Sequence, residues 1–158
     1  MHKINQNISA TAIIAALYVA ITLAPISFGV VQLRLSEMFN HLAAFNKRYI
    51  FAVTLGVLIV NVFSPLGPID MLFGTVGTLI GTTPTYFYTR KVTSLIGKFT
   101  IATICQLPGM LLVDLEMHLY SNLPMFPTYW ILAAGEIASM VIGAFLIYLI
   151  STKVDLYK

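Results

Sequence analysis

Gln32, Arg34, Ser36, Glu37 and Asn40 fall within a single short segment between two apolar stretches. If the chain is helical from Leu33 onward, Arg34, Glu37 and Asn40 or His41 recur at three- and four-residue spacing and share one face. An arginine and a glutamate at the mouth of a membrane helix are costly unless paired, hydrated or used. Two roles fit them. Either Arg34 and Glu37 pair internally and cap the helix, or the face lines a pocket for a polar solute.

Further chemistry-bearing residues are scattered singly through apolar surroundings: Asn61, Asp70, Tyr129, Trp130 and Glu136. Carboxylates accept from N–H groups and from an ammonium, Asn and Gln both donate and accept, and aromatic rings stack. Together these groups suit a cationic, planar, hydrogen-bonding solute. Asp70 also fits the N-cap of the helix that follows it. No Gly-rich loop precedes a Lys-Ser/Thr pair, so the chain is not expected to hydrolyse nucleotide itself. There is no His-Glu-x-x-His or Gly-x-Ser-x-Gly motif, and neither His41 nor His118 has a ligand neighbour at metal-binding spacing. No catalytic residue, metal or cofactor of the chain itself is therefore expected. Cys105 is the single cysteine and implies no disulfide framework.

The elements that must position these residues read as hydrocarbon-compatible helix. Of the 158 residues, 58% are hydrophobic and 9% charged, against about a quarter charged in a soluble domain. With a mean hydropathy of +0.88 the chain cannot clothe a water-facing surface. It is expected to be an all-α integral membrane protein, one domain over 1–158, with six spans near 8–26, 33–45, 49–63, 71–89, 99–115 and 129–150. The first apolar run follows a basic start, as a signal peptide does, but it is too long for one and is expected to stay uncleaved. The span at 33–45 is short and is expected to lean on neighbouring protein rather than lipid. Asn46-Lys47-Arg48 closes it, Ser64–Pro68 is a turn, and Asp114, Glu116 and His118 mark the end of the fifth span. The span at 71–89 carries Gly74, Gly77, Thr78, Gly81, Thr82 and Thr85, a small, weakly polar face for tight packing or a cavity wall. In the first span Ala12, Ala16 and Ala20 recur every fourth residue, with Ala15 beside them. Such a row permits close approach of another helix, within the bundle or from a partner.

Six spans put Lys3, Lys47, Arg48, Arg90, Lys91, Lys98, Lys153 and Lys158 on one side and leave only Arg34 of the 9 basic residues on the other. The positive-inside bias then predicts that both termini are cytoplasmic. The acids distribute oppositely, with only Asp155 cytoplasmic. Glu136 lies about 10 Å below Tyr129 at 1.5 Å per residue, and Glu37 and Asn61 reach comparable depths. Polar groups from three helices are thus expected to converge in the outer third of the bundle.

Val31-Gln-Leu-Arg-Leu-Ser-Glu37, Phe45-Asn-Lys-Arg-Tyr-Ile50, Leu55-Gly56, Asn61-x-Phe-Ser-Pro-Leu-Gly67, Asp70-x-x-Phe-Gly-Thr75 and Trp130 followed by Gly135-Glu136 resemble the QueT family. Its members are the substrate-specific S-components of energy-coupling-factor transporters. The resemblance implies a six-helix S-component bundle with an outward-facing site. It also implies docking on a transmembrane coupling subunit driven by two ATPase subunits, which use the ATP. The implied substrate is a queuosine precursor such as 7-aminomethyl-7-deazaguanine, and the implied docking row is Ala12, Ala16 and Ala20. A guanine-like edge offers N1–H and an amine to a carboxylate, and an aminomethyl cation needs a second one. Glu37 and Glu136 are the expected acceptors, in either order, with Asn40, Gln32, Asn61 and Asp70 as further polar contacts. Arg34 is expected to meet the ring carbonyl or to orient Glu37, and Trp130 or Tyr129 to stack on the ring.

Overall fold

The computed structural model describes residues 2–24 and 34–157, with side chains for 8–24 and 34–157. Among the described residues there are five α-helices, one 3-10 helix and no strand. In order they are α1 (His2–Leu23), the 3-10 helix Leu35–Ala44, α2 (Arg48–Asn61), α3 (Pro68–Thr89), α4 (Leu95–Ser121) and α5 (Met125–Ser151). The architecture is the all-helical one expected from composition, with an element for each predicted span. Gln32, and the predicted break at Pro25, Ser27 and Gly29, lie outside the described residues.

The short second element differs most from expectation. It winds with three residues per turn rather than 3.6, so residues at i and i+3 eclipse one another. That winding sorts its side chains into three clean rows. Glu37 and Asn40 align in one row, and Arg34, the extended N-cap residue before the helix, lines the same cavity. Phe39, Leu42 and Phe45 turn toward the apolar core, where Phe39 meets Tyr18 with ring centroids 6.2 Å apart. Met38 and His41 face α5, where His41 Nε2 lies 2.8 Å from the Met140 carbonyl. An α-helical spacing left Asn40 and His41 as equivalent choices; the tighter winding assigns Asn40 to the polar row and His41 to packing. The 3-10 helix contacts all five α-helices and is buried from Ser36 to Ala44. It leans on protein on every side, as its length requires.

Glycine and threonine shape the α3–α4 wall. Pro68 starts α3 after Gly67, whose φ of 51° admits glycine with least strain. Asp70 is therefore in the first turn rather than at the N-cap, with its carboxylate accepting from Ser64 Oγ. The hydroxyls of Thr78, Thr82, Thr85 and Thr89 each donate to the carbonyl four residues earlier, which satisfies them without water. A Cβ on Gly109 would come within 2.6 Å of the Gly77 carbonyl oxygen, so the two backbones touch only because both positions are glycine. A Cβ on Gly56 would lie 2.8 Å from Tyr18 Cβ, and the same argument holds α1 against α2.

Two boundaries move substantially. Helix α4 continues to Ser121 and ends at Asn122 in the left-handed region, φ 54°. Asp114 and Glu116 lie inside it and are buried, because neighbouring helices rather than lipid surround them. Helix α5 starts at Met125, directly after Pro124, which leaves a much shorter loop than the predicted one. Lys98 is buried, donating to the carbonyls of Ala44 at 3.0 Å and Thr89 at 3.1 Å. It thereby joins the C-terminal ends of the 3-10 helix and α3. Asn46 Nδ2 donates to the Tyr157 carbonyl at 3.0 Å, so the 44–48, 89–98 and 151–157 segments meet at one end of the molecule.

Candidate functional site

The polar row of the 3-10 helix is held from two sides. Arg34 N–H donates to Ser139 Oγ of α5 at 3.1 Å, which fixes where the row begins. Glu37 accepts from the Tyr18 hydroxyl of α1 at 3.1 Å on Oε1 and from Asn40 Nδ2 at 2.7 Å on Oε2. Both carboxylate oxygens thus have internal partners. Glu136 comes from α5, buried and within electrostatic reach of both Glu37 and Arg34. Asn40 stands between the two carboxylates, bonded to Glu37 and within reach of Glu136. Among the described residues, Glu136 Oε1 and Asn40 Oδ1 have no hydrogen-bond partner.

The row opens on a cavity of about 50 Å³. Tyr18, Arg34, Glu37 and Asn40 form one wall and Asn61, Gly74, Gly77 and Thr78 a second. Gln106, Met110 and Val113 of α4 form the third, with Val57 between. The volume suits one or a few waters, at about 30 Å³ of liquid for each. At this spot the bundle gathers one carboxylate, a guanidinium and three carboxamides among apolar walls, with the Glu136 carboxylate adjoining. Such a set can hold a polar solute by complementary hydrogen bonds and charge, with no nucleophile–base pair among the groups lining it.

The remaining expected site residues are distributed around this core. Asn61 lines the cavity, but its Nδ2 donates to the Asp70 carbonyl at 2.8 Å. Asp70 lies near the start of α3, against Glu116 of α4, and does not line the cavity. Glu136 adjoins the cavity behind Glu37 without lining it. Trp130 is 58% exposed, with its ring against Phe126 and Tyr129 at centroid distances of 6.1 and 5.4 Å. The ring that does line the cavity is Tyr18. Ala12, Ala16 and Ala20 are all exposed on α1, while Ala15 and Tyr18 of the same helix turn inward.

Tyr18, Gln106 and Ser139 escaped the reading of the sequence. Gln106 left a usable signal, a lone carboxamide within an apolar run, which is the same feature that marked Glu136. Tyr18 stands three residues after Ala15, on the inner face of a helix whose outer face was the one noticed.

Large apolar side chains such as Phe51, Phe63, Ile96, Phe126 and Phe145 are turned outward, while Glu37, Asn40, Gln106, Asp114, Glu116 and Glu136 are buried. Helices α4 and α5 are long and apolar enough to cross a bilayer, and the stretches Ile8–Leu23 and Arg48–Asn61 are shorter apolar helices. Water would reverse that arrangement, so the fold defines a helical membrane protein with a polar chamber inside it. The chain belongs to the QueT transporter family, whose model matches residues 8–152. It is 35% identical over 161 aligned positions to the queuosine precursor transporter QueT of Lactococcus lactis subsp. cremoris (strain MG1363), covering 93% of each chain. No solved structure matches it.

Proposed function

We propose that the chain is the substrate-binding S-component of an energy-coupling-factor transporter that imports a queuosine precursor of the 7-aminomethyl-7-deazaguanine type. The observation that carries this reading is the set of buried carboxylates and carboxamides around one cavity in a member of the QueT transporter family. The relative's name supplies the substrate class. In this reading Glu37, presented by Tyr18 and Asn40, accepts from the guanine-like edge. Glu136, with an oxygen unpartnered among the described residues, receives the aminomethyl cation. The cavity is too small for a bicyclic base, so loading moves its walls apart.

The chain works as one integral domain of six membrane-crossing helices in the cell membrane, both termini cytoplasmic. The bias of basic residues toward one side supports that orientation. Its partners are a transmembrane coupling subunit and two ATPase subunits, where the ATP is consumed. The outward-facing row Ala12, Ala16 and Ala20 supports close docking of the coupling subunit on α1.

The test combines calorimetric binding by the purified chain with uptake into vesicles, with and without the partner subunits. Reversible binding of the deazapurine alone, and uptake only with the ATPases present, is the expected result. Uptake by the chain alone identifies a self-sufficient permease and refutes the S-component assignment. Absence of deazapurine binding refutes the substrate.

A further inference from the structure

Gln106 lies near the middle of α4, where a carboxamide has to find partners or incur a desolvation cost. It is 3% exposed, it lines the cavity, and its Nε2 has no hydrogen-bond partner among the described residues. Its position is not accidental packing. A Cβ on Gly81 would collide with Gln106 Oε1, so α3 gives up a side chain to admit the carboxamide. The glycine contact between Gly77 and Gly109 presses α4 close enough to hold it there.

The other neutral donors of the chamber are all engaged. Tyr18 and Asn40 donate to Glu37, Asn61 donates to the Asp70 carbonyl, and the Thr78 hydroxyl donates to the Gly74 carbonyl. Asn40 and Asn61 each commit one of their two N–H groups, whereas Gln106 Nε2 has no partner for either of its own among the described residues. Acceptors gather on the opposite wall, where Glu37 and the unpartnered Asn40 Oδ1 stand. A ligand spanning the two walls turns its donors to Glu37 and Asn40 Oδ1 and an acceptor to Gln106, with the Arg34 guanidinium of the first wall within electrostatic reach of Glu37.

We infer that Gln106 is a specificity-determining residue: its carboxamide N–H reads a ring carbonyl and so selects lactam heterocycles over their amino counterparts. An amine in place of that carbonyl would set donor against donor, leaving a buried N–H unpaired on each side. The inference rests on the deazapurine-binding reading above and adds which atom of the ring is read, and by which residue.

Two probes test it: 7-aminomethyl-7-deazaguanine, and the same ring with the carbonyl replaced by an amine. Each is titrated calorimetrically into the purified wild-type protein and into Gln106→Met, Gln106→Glu and Gly81→Ala. Wild type is expected to prefer the lactam. Gln106→Met keeps the volume and removes the donor, so lactam affinity falls about three- to tenfold, one neutral hydrogen bond. The amino probe changes less than about twofold, so the preference narrows by the factor lost, and the remainder is held by Glu37, which meets N1–H in the lactam and a bare N1 in the amino probe. Ionised, Gln106→Glu presents only acceptors and narrows the preference further than Gln106→Met does. Gly81→Ala leaves the carboxamide in place chemically but displaces it, narrowing the preference while the protein stays folded. A purely structural role moves both affinities together and leaves their ratio alone. Wild-type discrimination retained unchanged in all three variants overturns the inference and spares the substrate assignment. Failure of wild type to bind either probe overturns both.

Discussion

Glu136→Gln separates the two carboxylates by role. Glu37 has both oxygens engaged by Tyr18 and Asn40, whereas Glu136 retains an oxygen with no partner among the described residues. The ligand's cation is thus expected at Glu136. Opposite charges about 4 Å apart attract by about 4 kcal/mol at an effective dielectric near 20. Desolvating the ammonium offsets part of this, leaving about 1.5–3 kcal/mol for a charge-assisted bond. Glu136→Gln keeps shape and hydrogen-bonding capacity but removes the charge. The aminomethyl ligand should therefore lose about 10- to 150-fold in Kd, while a deazaguanine lacking the aminomethyl group changes by about twofold or less, on the order of 0.4 kcal/mol. Calorimetric titration of both ligands into both proteins reads this directly. Equal losses for the two ligands would show that Glu136 shapes the chamber without meeting the cation. No loss for either would remove it from the site altogether.

Three further outcomes follow from the fold. Replacing Lys98 with Met leaves the Thr89 carbonyl without its cation and should lower stability by about 1–3 kcal/mol, since relief of a buried charge offsets part of two charged hydrogen bonds; an unchanged melting midpoint in detergent would contradict that role. Ala16→Trp should abolish uptake by the assembled transporter while leaving binding by the isolated chain within about twofold, and persistent uptake would make the alanine row irrelevant to docking. In a Cys105→Ala background, Pro65→Cys should react with an impermeant thiol reagent on intact cells and Thr93→Cys only after permeabilisation; labelling of the second site in intact cells would break the proposed orientation.

The sequence made the polar constellation visible because carboxylates and carboxamides stand out in an apolar chain. It did not reveal how the short helix winds. Spacings of three and four are both compatible with an α-helix, and only the surrounding helices impose the tighter turn that pairs Asn40 with Glu37. Asp114 and Glu116 read as a stop signal because charge is expensive in lipid, yet they face protein, and side-chain environment is a tertiary property. Trp130 was expected at the chamber on the ground that aromatics stack on flat ligands. It is exposed beside Phe126, as aromatics commonly are where a helix meets the membrane boundary. Gln106 stands out in the same way, but which face of α4 it occupies is a tertiary property and no spacing ties it to the other polar residues.

The winding of the 3-10 helix is also a ruler. Ten residues at about 2.0 Å each extend about 20 Å, where an α-helix of the same length would reach only about 15 Å. Each residue turns about 120° instead of about 100°, so relaxing to α-helix would swing Asn40 about 60° away from Glu37. The register of these two groups is therefore a torsional property of the whole segment. A substitution at Leu42 or Ala43 that unwinds this turn would misalign the chamber without altering any residue that lines it.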